Sequence, residues 1–243
     1  SVNTQFAFAD NWFEEVSSGI GISILNHQET TTRYNFTQVN LNYAYRFSIS
    51  DTWNVRPSIS LGYGSKDFGF QNLLLEDQIN IFSGVINGTT FDPINLNESV
   101  RFIDFSASVL FNNENSWVGL TLKHLNKPNI SMSFSGQEPL EMFMSVHGSL
   151  NIPFGGYKNE NKLFVLANAM QQGAFNRVDL GAKYEMDRFS FALLGATNLN
   201  KVDPNSHLLT SVNAFVGMDW EGFVFGYSYD FNMSDIGQTG GVY

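Results

Sequence analysis

The chain has 243 residues, no cysteine and a formal charge of −10. Hydrophobic residues make up 43%, aromatics 15% and charged residues only 15%, against a usual charged share of about 25%. That balance excludes an acidic disordered chain, a disulfide scaffold and a Cys-based metal site, and it lacks the basic stripe that nucleic acid requires. The longest purely apolar run, Leu163 to Ala167, is far short of the ~20 residues of a transmembrane helix. Low charge, many aromatics and no long apolar run leave a membrane β-barrel or a large β-sandwich.

Period-2 alternation runs through the chain. Roughly twelve segments carry it. They open near Val2, Gly19, Tyr34, Trp53, Phe102, Trp117, Met142, Leu163, Arg177, Phe189, Ser211 and Phe223. In the third, Val39, Leu41, Tyr43, Tyr45, Phe47 and Ile49 alternate with Asn40, Asn42, Ala44, Arg46 and Ser48. In the fourth, Trp53, Val55, Pro57, Ile59, Leu61 and Tyr63 alternate with Asn54, Arg56 and small residues. Pro57 removes a ladder donor, so a bulge or irregular pairing is expected there. The seventh sets Met142, Met144, Val146, Leu150 and Ile152 against Ser145, His147, Ser149 and Asn151. The ninth sets Val178, Leu180 and Ala182 against Arg177, Asp179, Lys183 and Glu185. The last sets Phe223, Phe225, Tyr227, Tyr229 and Phe231 against Ser228, Asp230 and Asn232.

Connection lengths alternate as well. Ser50–Thr52, Asn112–Asn115, Asp187–Arg188 and Glu221–Gly222 are short, whereas Lys66–Glu98, Leu125–Glu141 and Asn198–Thr210 are long. Outer-membrane barrels have short periplasmic turns and longer extracellular loops. Aromatics flank the short turns (Phe47 and Trp53, Phe111 and Trp117, Trp220 and Phe223), as in an interfacial girdle. The expectation is therefore an all-β, antiparallel transmembrane β-barrel over residues 1–243, apolar phase to lipid and polar phase to the lumen, with the long loops extracellular. By the same parity the first and last segments both end on the long-loop side. One strand is then expected beyond each end, making about fourteen in the complete barrel.

Ordered motifs carry a resemblance. They are Gly19-Ile20-Gly21 with Leu25-Asn26, Tyr43-Ala44-Tyr45, Asp104-Phe105-Ser106-Ala107, and Gly119-Leu120 with Lys123-His124-Leu125 and Lys127-Pro128-Asn129-Ile130. Gln171 to Asn176 leads into Val178-Asp179-Leu180-Gly181, and Gly226-Tyr227-Ser228-Tyr229-Asp230 is followed by Ser234-Asp235 and Gly240-Gly241. In this order the chain resembles the PorP/SprF family of Bacteroidetes outer-membrane proteins, associated with type IX secretion and gliding motility. The resemblance implies a non-enzymatic barrel that binds or anchors a secreted adhesin, or its C-terminal signal domain, at the cell surface. It also implies contact with other secretion components and no cofactor. The family's charged, Gly-containing turn after Asn26 is replaced here by His27-Gln28-Glu29-Thr30.

Two sets of residues are candidates for function. The first is apolar and lies in long connections: Phe68, Phe70, Leu73, Leu74, Leu75, Ile81 and Phe82, then Ile130, Met132 and Phe134. Long apolar loops are either packed plugs or interaction surfaces, and the sequence leaves both open. The second is polar and in inward phase: Arg46, Arg56, Asp104, His147, Arg177, Asp179, Lys183, Glu185, Asp219 and Asp230. An ion-paired, hydrogen-bonded lumen is expected of them, since a lipid-embedded wall hides polar groups inward. A pore or small-solute transporter is the alternative function. The four histidines (His27, His124, His147 and His207) show no metal-ligand spacing. His124 falls on the apolar phase, where an interfacial position is expected. No serine elbow supports a hydrolase. Gly62 and Gly64 fit no phosphate loop and are expected to permit bends or close approach.

Overall fold

The computed structural model describes residues 2–13, 16–29, 33–69, 78–79, 84, 86, 99–132, 136–153, 161–199, 209–221 and 223–233, with backbone alone at 2–13, 16–17 and 153. The described residues form a 12-stranded sheet whose order follows the chain. The strands are β1 (Val2–Phe13), β2 (Val16–Glu29), β3 (Tyr34–Ser48), β4 (Asn54–Asp67), β5 (Ser99–Asn112), β6 (Ser116–Lys123), β7 (Phe143–Pro153), β8 (Lys162–Gln172), β9 (Phe175–Met186), β10 (Phe189–Thr197), β11 (Ser211–Trp220) and β12 (Phe223–Asn232). Each expected segment becomes one strand. β1 pairs antiparallel with β2, and β7 through β12 pair antiparallel in succession.

The alternating sequence explains the strands, and exposure shows which phase faces where. Ile20, Ile22 and Ile24 of β2, Leu41 and Tyr43 of β3, Ile59, Leu61 and Tyr63 of β4, and Ile103 and Phe105 of β5 are exposed. So are Met144, Val146, Leu150 and Ile152 of β7. Their polar or small neighbours Gly62, Gly64, Asp104, Ser145 and Ser149 are buried. A soluble sheet hides its apolar phase; this one hides its polar phase.

The phase slips at Pro57. Val55 is buried, Arg56 and Pro57 are both exposed, and burial resumes on the even positions from Ser58. The expected irregularity is therefore present in the burial pattern, and Arg56 points away from the buried side. Turns follow ordinary rules. Asp187 (φ 52°) and Glu221 (φ 50°) open the turns β9–β10 and β11–β12, as primed hairpin turns require at their first position. The three longest connections, 68–98, 124–142 and 198–210, all follow an even-numbered strand.

The chain divides into two compact units. One comprises Ser1–Tyr45, Ser58–Ala107 and Lys123–Glu141; the other comprises Arg46–Pro57, Ser108–Leu122 and Met142–Tyr243.

Candidate functional site

In the first unit, two glycines of β4 let the strands on either side meet. Gly64 carries the ring of Phe102, and a Cβ at that position would run into the ring. Phe36 of β3 stacks on the same ring, with centroids 6.4 Å apart and planes at 27°. One step along, a Cβ on Gly62 would stand 2.5 Å from Asn40 Oδ1 and 3.3 Å from both Gln38 Nε2 and the Asp104 Cβ. β4 is therefore a bare floor over which the side chains of β3 and β5 touch. The close approach expected of these glycines is what they provide.

Over that floor lies a buried acid. Asp104 is 3% exposed. Its Oδ2 accepts from Gln38 Nε2 at 3.5 Å and meets His124 Nδ1 at 2.9 Å. A carboxylate only accepts, so His124 Nδ1 carries the hydrogen. Gln38 Nε2 also donates to Asn40 Oδ1 at 3.1 Å, and Asn40 Nδ2 donates to Ser23 Oγ at 3.3 Å. Asp104 Oδ1 is buried and accepts no hydrogen bond among the described residues.

Local backbone puts His124 there. β6 ends at Lys123, and His124 takes φ 60°, turning the chain out of the strand. The next residues latch onto β5. Leu125 N donates to Phe105 O at 2.9 Å, Asn126 Nδ2 donates to Ile103 O at 2.7 Å, and Asn126 Oδ1 accepts from Phe105 N at 3.0 Å. Asp104 sits between the two residues so gripped. His124 is thus drawn to the polar side, which corrects the interfacial position that strand phase suggests for it. Strand phase failed because residue 124 lies just past the strand.

Beyond this cluster lies a cavity of ≈ 230 Å³. Tyr34, Phe36 and Phe102 give it aromatic walls, Ile130 and Leu140 give it aliphatic ones, and Gln38, Lys66 and His124 bring polar groups. Ile130 and Leu140 belong to a ribbon: Ile130 N donates to Glu138 O at 3.0 Å and Leu140 N to Pro128 O at 2.8 Å. Phe68 stands edge-on to Tyr34 at 6.3 Å. Of the apolar candidates, Ile130 therefore lines the cavity and Phe68 backs its wall, while Met132 is half-buried on the ribbon side of the same connection. Phe70, Leu73, Leu74, Leu75, Ile81, Phe82 and Phe134 lie outside the described residues. Leu140, apolar in the same long connection as Ile130, also lines the cavity; strand alternation places Gln38 inward but gives no reason to single it out, and Lys66 carries no sequence signal of its own.

The second unit holds a different polar chain. Ser145 Oγ donates to Asn168 Oδ1 at 2.9 Å and lies 3.2 Å from His147 Nδ1. The hydroxyl has one hydrogen, so His147 Nδ1 must donate to Ser145. Asn168 Nδ2 donates to Asp179 Oδ2 at 3.1 Å, and Arg177 Nε donates to Asp179 Oδ1 at 2.6 Å. The register β7–β8–β9 explains this order, since His147 faces Asn168 and Asn168 faces Asp179. Lys183 pairs with Glu185 at 2.6 Å and lies 5.7 Å from the Phe164 ring centroid. The remaining polar candidates stand apart: Arg46, Arg56, Asp219 and Asp230 are exposed. Among the described residues no three His, Cys, Asp or Glu side chains converge as a metal site.

An antiparallel sheet in chain order, with its apolar phase exposed and its polar phase hidden, suits a class of protein whose strands meet apolar surroundings. The particular family follows from comparison. A model of the type IX secretion system membrane proteins PorP/SprF matches residues 1–243, and the chain belongs to that family. It is a membrane component of type IX secretion, a family of secretion parts and not of enzymes. No curated relative matches the chain.

Proposed function

We propose that the sheet closes as a β-barrel in the bacterial outer membrane and holds a type IX-secreted surface protein, an adhesin or its signal domain, at the end bearing the long connections. Family membership supports the secretion role. The inverted exposure of alternate residues supports the lipid-facing wall, because each unsatisfied polar group in hydrocarbon costs on the order of several kcal/mol. The observation that supports the anchoring role is the cavity lined by Tyr34, Phe36, Lys66 and Phe102 of the strands and by Ile130 and Leu140 of the connection after β6, with Phe68 edge-on to Tyr34. Buried-floor construction makes that end rigid enough to bind, as a site on strands is held more firmly than one on loops.

The test is affinity purification from native outer membrane, with mass spectrometry of co-eluting proteins. Replacing residues 71–97 by a short Gly/Ser link is expected to abolish co-elution of a large secreted protein. The variant should still show the heat-modifiable gel mobility of a folded barrel. A folded variant that retains its full complement of partners would remove this connection from the binding role.

A further inference from the structure

From the same cavity we infer a more specific ligand chemistry: it takes one aromatic or branched apolar group that carries a carboxylate. This rests on the binding role proposed above and names what that end of the molecule recognises. Size sets the first limit. An apolar cavity of about 150 Å³ holds benzene, and drug-sized ligands need about 300 Å³ or more. At ≈ 230 Å³ this cavity admits a single ring or branched chain with a small polar head.

The walls set the second limit. Tyr34, Phe36, Phe102, Ile130 and Leu140 offer rings and branched carbon, which favour an apolar body. Charge sets the third. Lys66 lines the cavity, and among the described residues it makes no ion pair or hydrogen bond. Two described acids beside it in the fold are engaged by other groups. Asp104 is bonded to His124 and Gln38 beneath the cavity, and Asp67, on the opposite phase of β4, accepts from Ser65 Oγ at 3.1 Å. In a chain of charge −10 with 13 basic residues, an unpaired ammonium beside three aromatic rings calls for an anion brought by the ligand. A cationic ligand would meet Lys66 as a like charge.

Such a group has two sources: a free small acid, or the carboxylate of an apolar residue in a polypeptide. Isothermal titration of the full chain in detergent micelles separates them. The probes are 3-phenylpropanoate and the pentapeptide Gly-Ser-Gly-Gly-Phe with a free carboxyl end, each compared with its uncharged amide. Binding of the acid, the peptide or both, with the amides weaker, supports the inference and identifies the source. Lys66→Gln is expected to weaken the charged probes about tenfold or more and to leave the amides unchanged. Leu140→Trp fills the cavity and should abolish binding of every probe. No binding by either charged probe, or amides that bind as tightly as the acids, would overturn the assignment. If probes fail while a secreted partner still co-elutes, this chemistry falls and the anchoring role stands. If probes bind and no partner co-elutes, the chemistry stands and the anchoring role falls.

Discussion

Asp104 and Asp179 are two inward acids held in opposite ways. Both oxygens of Asp179 are used, one by Asn168 and the other by Arg177. Its side chain is 14% exposed and the arginine is 44% exposed, so the charge pair stays in contact with solvent. The Asp104 side chain is 4% exposed and receives both of its donors on one oxygen. The first arrangement is a ladder laid along paired strands, to which each strand adds a link. The second depends on the glycine floor of β4, on the φ of His124 and on the grip of Asn126. A polar phase thus becomes a buried cluster only where small residues let strands two apart meet.

The costliest substitution therefore lies at the floor. Gly64→Ala should destabilise the protein by about 1–3 kcal/mol, because a Cβ there would run into the buried Phe102 ring, which stacks on Phe36 and would have to shift with it. Gly119 looks similar in sequence but not in surroundings. A Cβ there would stand 2.6 Å from Nε2 of His147, the far end of a half-buried side chain that is tied to Ser145 and edge-on to Trp117. Gly119→Ala should cost less than about 1 kcal/mol. Guanidinium midpoints of the two variants refolded in the same detergent measure the contrast. Equal losses would mean that the Phe36–Phe102 stack gives way as easily as a partly exposed histidine.

Next comes the acid itself. His124→Ala removes a hydrogen bond to a buried carboxylate and should cost about 1.5–3 kcal/mol. Asp104→Ala should cost a similar amount. The two losses should not add, because they remove one interaction, and a double-mutant cycle reads the coupling directly. Additive losses would show that His124 acts through the turn geometry alone. Asn126→Ala separates these roles further: it removes the latch on Ile103 and Phe105 and should loosen His124 without touching its ring.

Much of this fold was legible from residue order, and the reason is physical. A sheet with unlike faces imposes a period of two, and the strands from Tyr34 to Asn232 display it, β6 most weakly. That Arg177, Asp179, Lys183 and Glu185 share a face was legible too, since residues two apart on a strand point the same way; which of them pair was not. Three further things were not. Arg56 leaves its phase beside Pro57; a missing ladder donor shows where alternation can slip but not which side wins. His124 was misplaced because alternation stops at Lys123 and a positive φ then reverses the side chain's direction. The cavity was hidden because Phe36, Phe102, Lys66 and Leu140 come from four separate stretches joined only by pairing across Gly64.

A smaller effect tests the ladder in the second unit. Asp179→Ala leaves Asn168 without its acceptor and frees the guanidinium, and should cost about 1–2 kcal/mol. Arg177→Ala removes only the exposed end and should cost less than about 1 kcal/mol. Unfolding midpoints in detergent would show the order. The reverse order would mean that the guanidinium, and not the amide of Asn168, holds the carboxylate in place.

The smallest effect belongs to the ribbon that roofs the cavity. Lys127 Nζ meets Glu141 Oε2 at 2.8 Å, but both side chains are about half exposed, at 52% and 49%. An exposed pair contributes about 0.2–1 kcal/mol, and salt screens it. The ribbon has stronger ties of its own. Asn129 Oδ1 accepts from Ser131 N at 3.1 Å and from Glu138 N at 2.9 Å, while its Nδ2 donates to Gly136 O at 3.3 Å. These bonds close the ribbon whether or not the ions meet. Lys127→Ala should therefore lower stability by less than about 1 kcal/mol, and the loss should vanish in 1 M salt, where the screening length is about 3 Å. Asn129→Ala should cost more than Lys127→Ala and should be insensitive to salt. If the lysine variant proves the less stable of the two at every salt concentration, the ion pair is the tie that holds the roof.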